Sequence, residues 1–339
     1  MTVLNIAMIG SDDLAKSIAK ATDQRDVHTY VHKESGPDGA RILSIIRPAK
    51  MPERIRPFFN SLCAARVGLL EITKIDAAFG EVLVGFASAG VDKGIYVINP
   101  EDGGWIDEDQ VKGFMTQAGL TNWTKSNNDG VELRGHLYQL MDDISGELEA
   151  AKSEPLVVPI DQHFNVKGIG LVAIGYVQSG SVKVHDELHL LPAAGPGAVK
   201  SLQVMDDDVN EAVAGDRVGI ALRNTKDEHL TGGSIIIHPS VEDKNKGISI
   251  PLCLEKHEKS SVSLQVSPFQ KRKLDVGDVI HVSVDLQFVV GRIESIGDSM
   301  IVNWDSPLYI RKENPPVVLV AQLDSNPRIM GSATLARHE

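Results

Sequence analysis

Apolar residues follow two different periods along this chain, and the change from one to the other divides it. Over roughly the first 150 residues, short solid apolar runs alternate with segments whose apolar residues recur every three or four positions. Leu4 to Ile9, Ile42 to Ile46, Val67 to Ile72 and Gly94 to Ile98 are runs of the first kind and predict buried strands. Asp13 to Thr22, Asp76 to Gly90, Asp107 to Ala118 and Gly130 to Leu148 are of the second kind and predict helices, with Phe79, Leu83 and Phe86 on one face. A further helix is expected to start at Pro52-Glu53-Arg54, and Pro57 should shorten or kink it. Strict alternation of strand and helix predicts a parallel sheet with helices on both faces.

Near Ser153-Glu154-Pro155 the period changes to two. Gly168 to Asp186 alternates apolar with small or polar residues, and its glycines fall where strands bend or turn. Ser179-Gly180 reads as a hairpin turn. With Val199 to Val204 and Ala214 to Ile220, this predicts a small closed β-barrel. Glu242 to Gly247 is polar and turn-rich, a linker, and the strands expected beyond it form a second barrel. These are Ser261 to Val266, Val279 to Asp285, Phe288 to Ile293, Met300 to Trp304 and Val317 to Leu323. The resulting domains are 1–152, 153–241 and 247–339.

Composition changes this picture little. With 339 residues, 42% hydrophobic and 24% charged, the chain suits a globular protein of several domains. A net charge of −12 argues against a uniformly basic grip on nucleic acid, and nothing suggests a DNA partner. Cys63 and Cys253 lie too far apart for a metal or redox motif, which fits a reducing, cytoplasmic setting. No uncharged apolar run is long enough to span a membrane, and Met1 leads directly into a strand without targeting features.

The string Gly168-Ile-Gly170-Leu-Val-Ala-Ile-Gly175-Tyr-Val-Gln-Ser-Gly180-Ser-Val182-Lys183-Val184-His185-Asp186, followed by Ala214-Gly215-Asp216-Arg217-Val218-Gly219, resembles the second domain of the translational GTPases. That family includes elongation factor Tu and the selenocysteine-specific elongation factor, and its pattern has glycine at the place of His185. Pro315 to Leu319 and Arg328 to Ala333 resemble the ending of the family's third domain more loosely. The resemblance implies a multidomain α/β plus all-β fold, a P-loop-GTPase-like parallel-sheet domain followed by two β-barrels.

The nucleotide motifs of that family are only partly present. A phosphate loop G-x-x-x-x-G-K-[ST] points amides at the phosphates, uses Lys as counter-charge and the hydroxyl for Mg²⁺. Here Gly10, Lys16 and Ser17 stand at the right spacing and Asp13 matches the family's acid, but Ala15 replaces the second glycine and Asp12 adds negative charge. The same residues also read as a strand end, a helix cap and a solvated lysine. Where the family has D-x-x-G-H, the chain reads Ile46-Arg47-Pro48-Ala49-Lys50, and no aspartate occurs from Ala40 to Ile75. The guanine-reading N-K-x-D corresponds to Asn99-Pro100-Glu101-Asp102, and S-A-K to Thr124-Lys125-Ser126. Neither Thr22 nor Thr29 is a persuasive switch threonine.

A vestigial GTP site at Gly10, Asp13, Lys16, Ser17, Asn99 and Asp102 is therefore expected, without catalytic residues, metal ligands or a required cofactor. Loss of the Mg²⁺ and water-positioning groups removes the main electrostatic terms of hydrolysis. The resemblance implies a pseudo-GTPase that binds tRNA, the ribosome or another translation factor. Two alternatives stay open: a GTP-binding factor with a metal-poor site, and a protein-binding scaffold without RNA contact. His28, Tyr30 and His32 share one face of a strand and read as exposed edge residues, and Lys271-Arg272-Lys273 as a solvated basic turn.

Overall fold

The structure is a computed structural model that describes residues 1–37, 39–243 and 248–338; the side chains of Asp102 and Asp243 also lie outside the description. The expected linker falls mostly on 244–247, outside the described residues. The fold is a parallel-sheet domain followed by two closed β-barrels.

The first domain runs β1 (Thr2–Ile9), α1 (Asp12–Ile18), β2 (Lys20–Gln24), β3 (Val27–Gly36), β4 (Gly39–Pro48), α2 (Arg56–Ala64), β5 (Val67–Ile72), α3 (Ala77–Ser88), β6 (Lys93–Ile98), α4 (Glu108–Ala118), β7 (Asn122–Ser126), α5 (Gly130–Asp143) and α6 (Ser145–Lys152). Its sheet has the order β2-β3-β4-β1-β5-β6-β7. Strands β4, β1, β5, β6 and β7 are parallel, while β3 and β2 are antiparallel additions at one edge. The parallel strands are solid apolar runs because both faces are covered. Phe58, Phe59, Phe86, Leu83 and Met115 pack on one face against Ala7, Leu70 and Tyr96. Leu14, Ile18, Leu133 and Leu137 pack on the other against Ile6, Met8 and Leu69.

Several elements differ from their sequence patterns. Strict alternation fails at β2 and β3, whose half-polar composition carries no solid apolar run. Helix α1 stops at Ile18 because the chain turns extended at Ala19 to begin the edge pair. Helix α2 starts at Arg56, so Pro57 lies in its first turn, where a missing amide costs nothing. The long helix expected from Gly130 to Leu148 is divided at Ile144 into α5 and α6.

The second domain closes because Glu187–Leu191 pairs with Gly195–Val204 on one side and Ile235–Ile237 on the other. Ser179-Gly180 is no hairpin turn: Ser181–Lys183 pairs with Glu211–Val213, and the Gly180 amide donates to the Ala151 carbonyl. Gly180 needs its lack of a Cβ, with φ +72 and the Leu156 backbone 2.6 Å from where that atom would lie. His185 adopts φ 80, so a non-glycine residue holds the left-handed conformation that the family pattern gives to glycine. The third domain is a closed barrel of Leu254–Val266, Met300–Arg311, Gln287–Ile296, Val279–Val284, Val318–Ala321 and Ile329–Arg337.

The domains share cores. Leu319, Ala321 and Ile329 of the third barrel join the cluster around Phe58 and Phe59. Val3 and Ile42 join the core of the second barrel. Polar bolts accompany them: Asn5 Nδ2 donates to Gly215 O at 2.8 Å, and Arg66 Nη2 donates to Gln178 O at 2.8 Å. Arg328 meets the buried Glu81 carboxylate through Nε at 3.0 Å and Nη2 at 2.5 Å, and its backbone amide donates to Glu81 Oε1 at 2.8 Å.

Candidate functional site

The loop after β1 is short. Ser11 is the N-cap of α1 and its Oγ accepts from Leu14 N at 3.1 Å, so the helix begins only two residues after Gly10. The Ser11 amide donates to Glu71 Oε2 at 2.5 Å. Asn99 Nδ2 donates to Glu71 Oε1 at 2.7 Å from the end of β6. Glu71 is 6% exposed and interrupts the apolar run of β5 near its end. Its carboxylate thus joins the loop after β1 to the end of β6. A Cβ on Gly10 would lie 2.8 Å from Glu71 Cβ, so here the glycine makes room for a side chain.

The remaining expected residues turn to local partners. Lys16 pairs with Asp12 at 2.5 Å, and Tyr30 donates its hydroxyl to the same carboxylate. The Lys16 ammonium first, and the Tyr30 hydroxyl next, hold the Asp12 carboxyl below its ordinary value. Burial, then Asp12, pushes the Tyr30 phenol up to about 12. Ser17 Oγ donates to Leu14 O at 2.7 Å, back into its own helix. Ala15 is fully buried in the core beneath α1. Asp13 is exposed in the first helical turn, where a negative charge suits the helix dipole. Arg47, where the family pattern predicts an aspartate, donates through Nε to Gly10 O at 2.6 Å. The side chain of Asp102 lies outside the described residues.

The structure therefore brings Gly10 and Asn99 together through Glu71 and leaves Asp13, Lys16 and Ser17 on α1, away from that junction. As arranged, these groups form no open cradle of amides and do not fit a magnesium-bound nucleoside triphosphate. Motif spacing does not find Glu71, although one acid in six consecutive buried positions is an available signal. Thr22 and Thr29 bond each other: Thr22 Oγ1 meets Thr29 Oγ1 at 2.8 Å, and Asp23 N donates to Thr29 Oγ1 at 3.2 Å, between β2 and β3. Ser126, at the place of S-A-K, donates to Glu132 at 3.2 Å. Nor is β3 an exposed edge, since β2 covers it. Tyr30 is fully buried and His32 Nδ1 bonds the Tyr138 hydroxyl at 2.9 Å.

A second place has the geometry of a binding site. The three domains meet around a cleft of about 940 Å³ containing Arg25, Arg54, Arg56 and Arg328. Arg25 and Arg54 pair with Asp23 and Asp26 at 2.9 and 3.0 Å, and Arg328 with Glu81. Arg56 has no carboxylate partner among the described residues and lies over the Phe288 ring, 5.5 Å from its centroid. It opens α2, whose N-cap Ile55 supplies no side-chain acceptor to the helix amides. Asn60 Oδ1 and Gln162 Oε1, both buried, also lack partners among the described residues. Asp26, Glu53 and Asp161 also line the cleft, so its walls carry both signs, and the uncapped start of α2 beside Arg56 is the part of it that favours an anionic group.

Comparison with known proteins finds translation elongation factors among the relatives. Residues 170–237 match the family model for elongation factor Tu domain 2. An uncharacterised protein of Methanocaldococcus jannaschii is 26% identical over 302 residues, covering 89% of each chain. The selenocysteine-specific elongation factor of the same organism is 39% identical over 105 residues, 31% of this chain and 22% of that one. Elongation factor 1-alpha of Saccharolobus solfataricus is 31% identical over 87 residues, 26% of this chain and 20% of that one. The sequence match thus spans about a fifth of the length of either factor. In structure, translation elongation factor SelB of Methanococcus maripaludis with the GTP analogue GppNHp superimposes with TM-score 0.75 at 19% identity, over 100% of this chain and 80% of that one. A bacterial selenocysteine-specific elongation factor gives TM-score 0.74 at 21% identity, over 99% of this chain and 58% of that one.

Proposed function

We propose that this divergent relative of the translational GTPases, built like a translation elongation factor, works as a nucleotide-independent binding protein of the translation apparatus. Its partner is a tRNA or another phosphate-bearing component, held against domains fixed in one orientation. The observation that carries the reading is Glu71, whose carboxylate takes the Ser11 amide and Asn99 amide where a nucleotide would stand. Switching in a GTPase needs segments that order around the γ-phosphate and its metal. Here the stretch between α1 and β4 is paired into the sheet as β2 and β3, and the domain contacts are apolar cores and the buried Glu81–Arg328 pair. What remains open to a partner is the three-domain cleft with Arg56.

Calorimetry with GTP and GDP, with and without Mg²⁺, together with tRNA binding over a range of salt, tests this. The expected result is no nucleotide heat, with tRNA affinity falling linearly in log–log against salt and weakened by Arg56→Ala. Tight Mg²⁺-dependent GTP binding overturns it and favours a metal-poor GTP-binding factor, the reading that the spacing of Gly10, Lys16 and Ser17 supports. Absence of both binding events leaves the protein scaffold.

A further inference from the structure

Trp105 stands apart from every other tryptophan in the chain. It is 82% exposed, whereas Trp123 and Trp304 are 7% and 8% exposed. It sits between the 3₁₀ turn Glu101–Gly103 and the start of α4, over a groove of about 660 Å³ at the ends of β6 and β7. Leaving so large an apolar ring in water is unfavourable, and aromatic side chains at this exposure commonly belong to contact surfaces. Two partners use such a ring: a nucleobase that stacks on it, or a cation that sits over its face.

The surrounding charge decides between them. From Glu101 to Asp109 the sequence holds five acids and no base. In the groove, Lys112 and Lys125 both pair with Glu108, the first at 2.9 Å. That leaves Asp107 and Asp109 without a cationic partner among the described residues. Asp107 Oδ1 accepts from the Asp109 amide at 3.0 Å as the cap of α4, with its second oxygen free of any described bond. Phosphates would be repelled here, while an arginine or lysine gains both the ring face and the carboxylates.

We propose that the Trp105 groove is a docking site for a basic segment of a partner protein, distinct from the three-domain cleft. Arginine is the preferred side chain, because its planar guanidinium stacks on indole and bridges carboxylate oxygens together. The groove includes Lys125 and Ser126, the counterparts of the S-A-K element, so the proposal rests on the nucleotide-free reading above, and a parallel titration with GTP separates failure of that reading from failure of this one.

Tryptophan fluorescence tests it directly, since the other two rings are buried. The full chain is titrated with an arginine-serine peptide, a glutamate-serine peptide of equal length, and oligouridylate. The arginine peptide should change the emission saturably, with an affinity that falls as salt is added; the other two should not. Asp107→Asn with Asp109→Asn keeps the α4 cap, asparagine being as good a cap as aspartate, and should weaken binding about threefold to tenfold. Trp105→Ala, followed by calorimetry, should weaken it about threefold to fivefold. The proposal fails if the arginine peptide leaves Trp105 unchanged or if the double asparagine variant binds it equally well. A response to oligouridylate at Trp105 also overturns it and makes the groove a nucleic-acid surface.

Discussion

Glu71→Ala is the substitution on which the reading of the first domain turns. In the native chain the carboxylate is 6% exposed and accepts two hydrogen bonds, from Ser11 N at 2.5 Å and Asn99 Nδ2 at 2.7 Å. Hydrogen bonds to a charged acceptor contribute about 1.5–3 kcal/mol each. Removing both gives a gross loss of roughly 3–6 kcal/mol, offset by release of a buried charge and by entry of water. A net destabilisation of about 2–3 kcal/mol is expected, read as a lower urea midpoint for the first domain. The variant should also gain a property that the native chain lacks. Two donors would face the volume left by the carboxylate, so sulfate or phosphate should stabilise Glu71→Ala and leave the wild type unaffected. At ten times its dissociation constant, such an anion restores about 1.4 kcal/mol. Glu71→Gln is the control, because its amide sets a donor against one of the two donors and leaves no space for an anion. A loss under about 0.5 kcal/mol in Glu71→Ala, or equal anion stabilisation of both proteins, refutes the account.

Other expectations follow from the domain contacts and the cleft. Breaking the Glu81–Arg328 pair with Glu81→Ala strands a half-buried guanidinium and should cost about 3–5 kcal/mol of the first-to-third-domain attachment, visible as expansion in X-ray scattering and faster proteolysis. Asp216 is buried at the first-to-second-domain contact, and burial raises its pKa from 3.8 to about 6, against a bond from the Val213 amide that lowers it. The folded state therefore binds more protons than the unfolded between pH 4 and 6, so stability should fall as pH rises through that window and level off above it, by about 3 kcal/mol at most; Asp216→Asn should flatten the urea midpoint against pH. In the cleft, Arg56→Ala should lower the salt slope of tRNA binding by about one, whereas Lys273→Ala in the basic turn should leave it unchanged.

Much of the fold is legible in the sequence because it rests on local periodicity. Solid runs such as Val67 to Ile72 can only be strands covered on both faces, and the two-residue period after Leu156 can only be half-buried strands. The glycine string of the second domain is legible for the same reason, and residues 170–237 match the family model for elongation factor Tu domain 2. Elements whose burial comes from distant neighbours are not. Strands β2 and β3 look polar in sequence, because what holds them is pairing with each other and with β4. The division at Ile144 and the pairing of Ser181–Lys183 with Glu211–Val213 likewise depend on what packs nearby.

The candidate site divides along the same line. The sequence by itself determined where this chain departs from the nucleotide motifs of the family it resembles, because spacing and residue type are one-dimensional facts: Ala15 against glycine, Arg47 against the metal aspartate, Pro100 against lysine. It could not determine what the surviving residues now touch. Asn99 and Ser11 are 88 positions apart, each far in sequence from Glu71, and a hydrogen bond depends on distances of a few ångströms that only the packed sheet fixes. The same holds for the cleft, where Arg25, Arg56, Gln162 and Arg328 come from all three domains. Local pattern set the parts; the tertiary structure decided that the Glu71 carboxylate joins the loop after β1 to the end of β6.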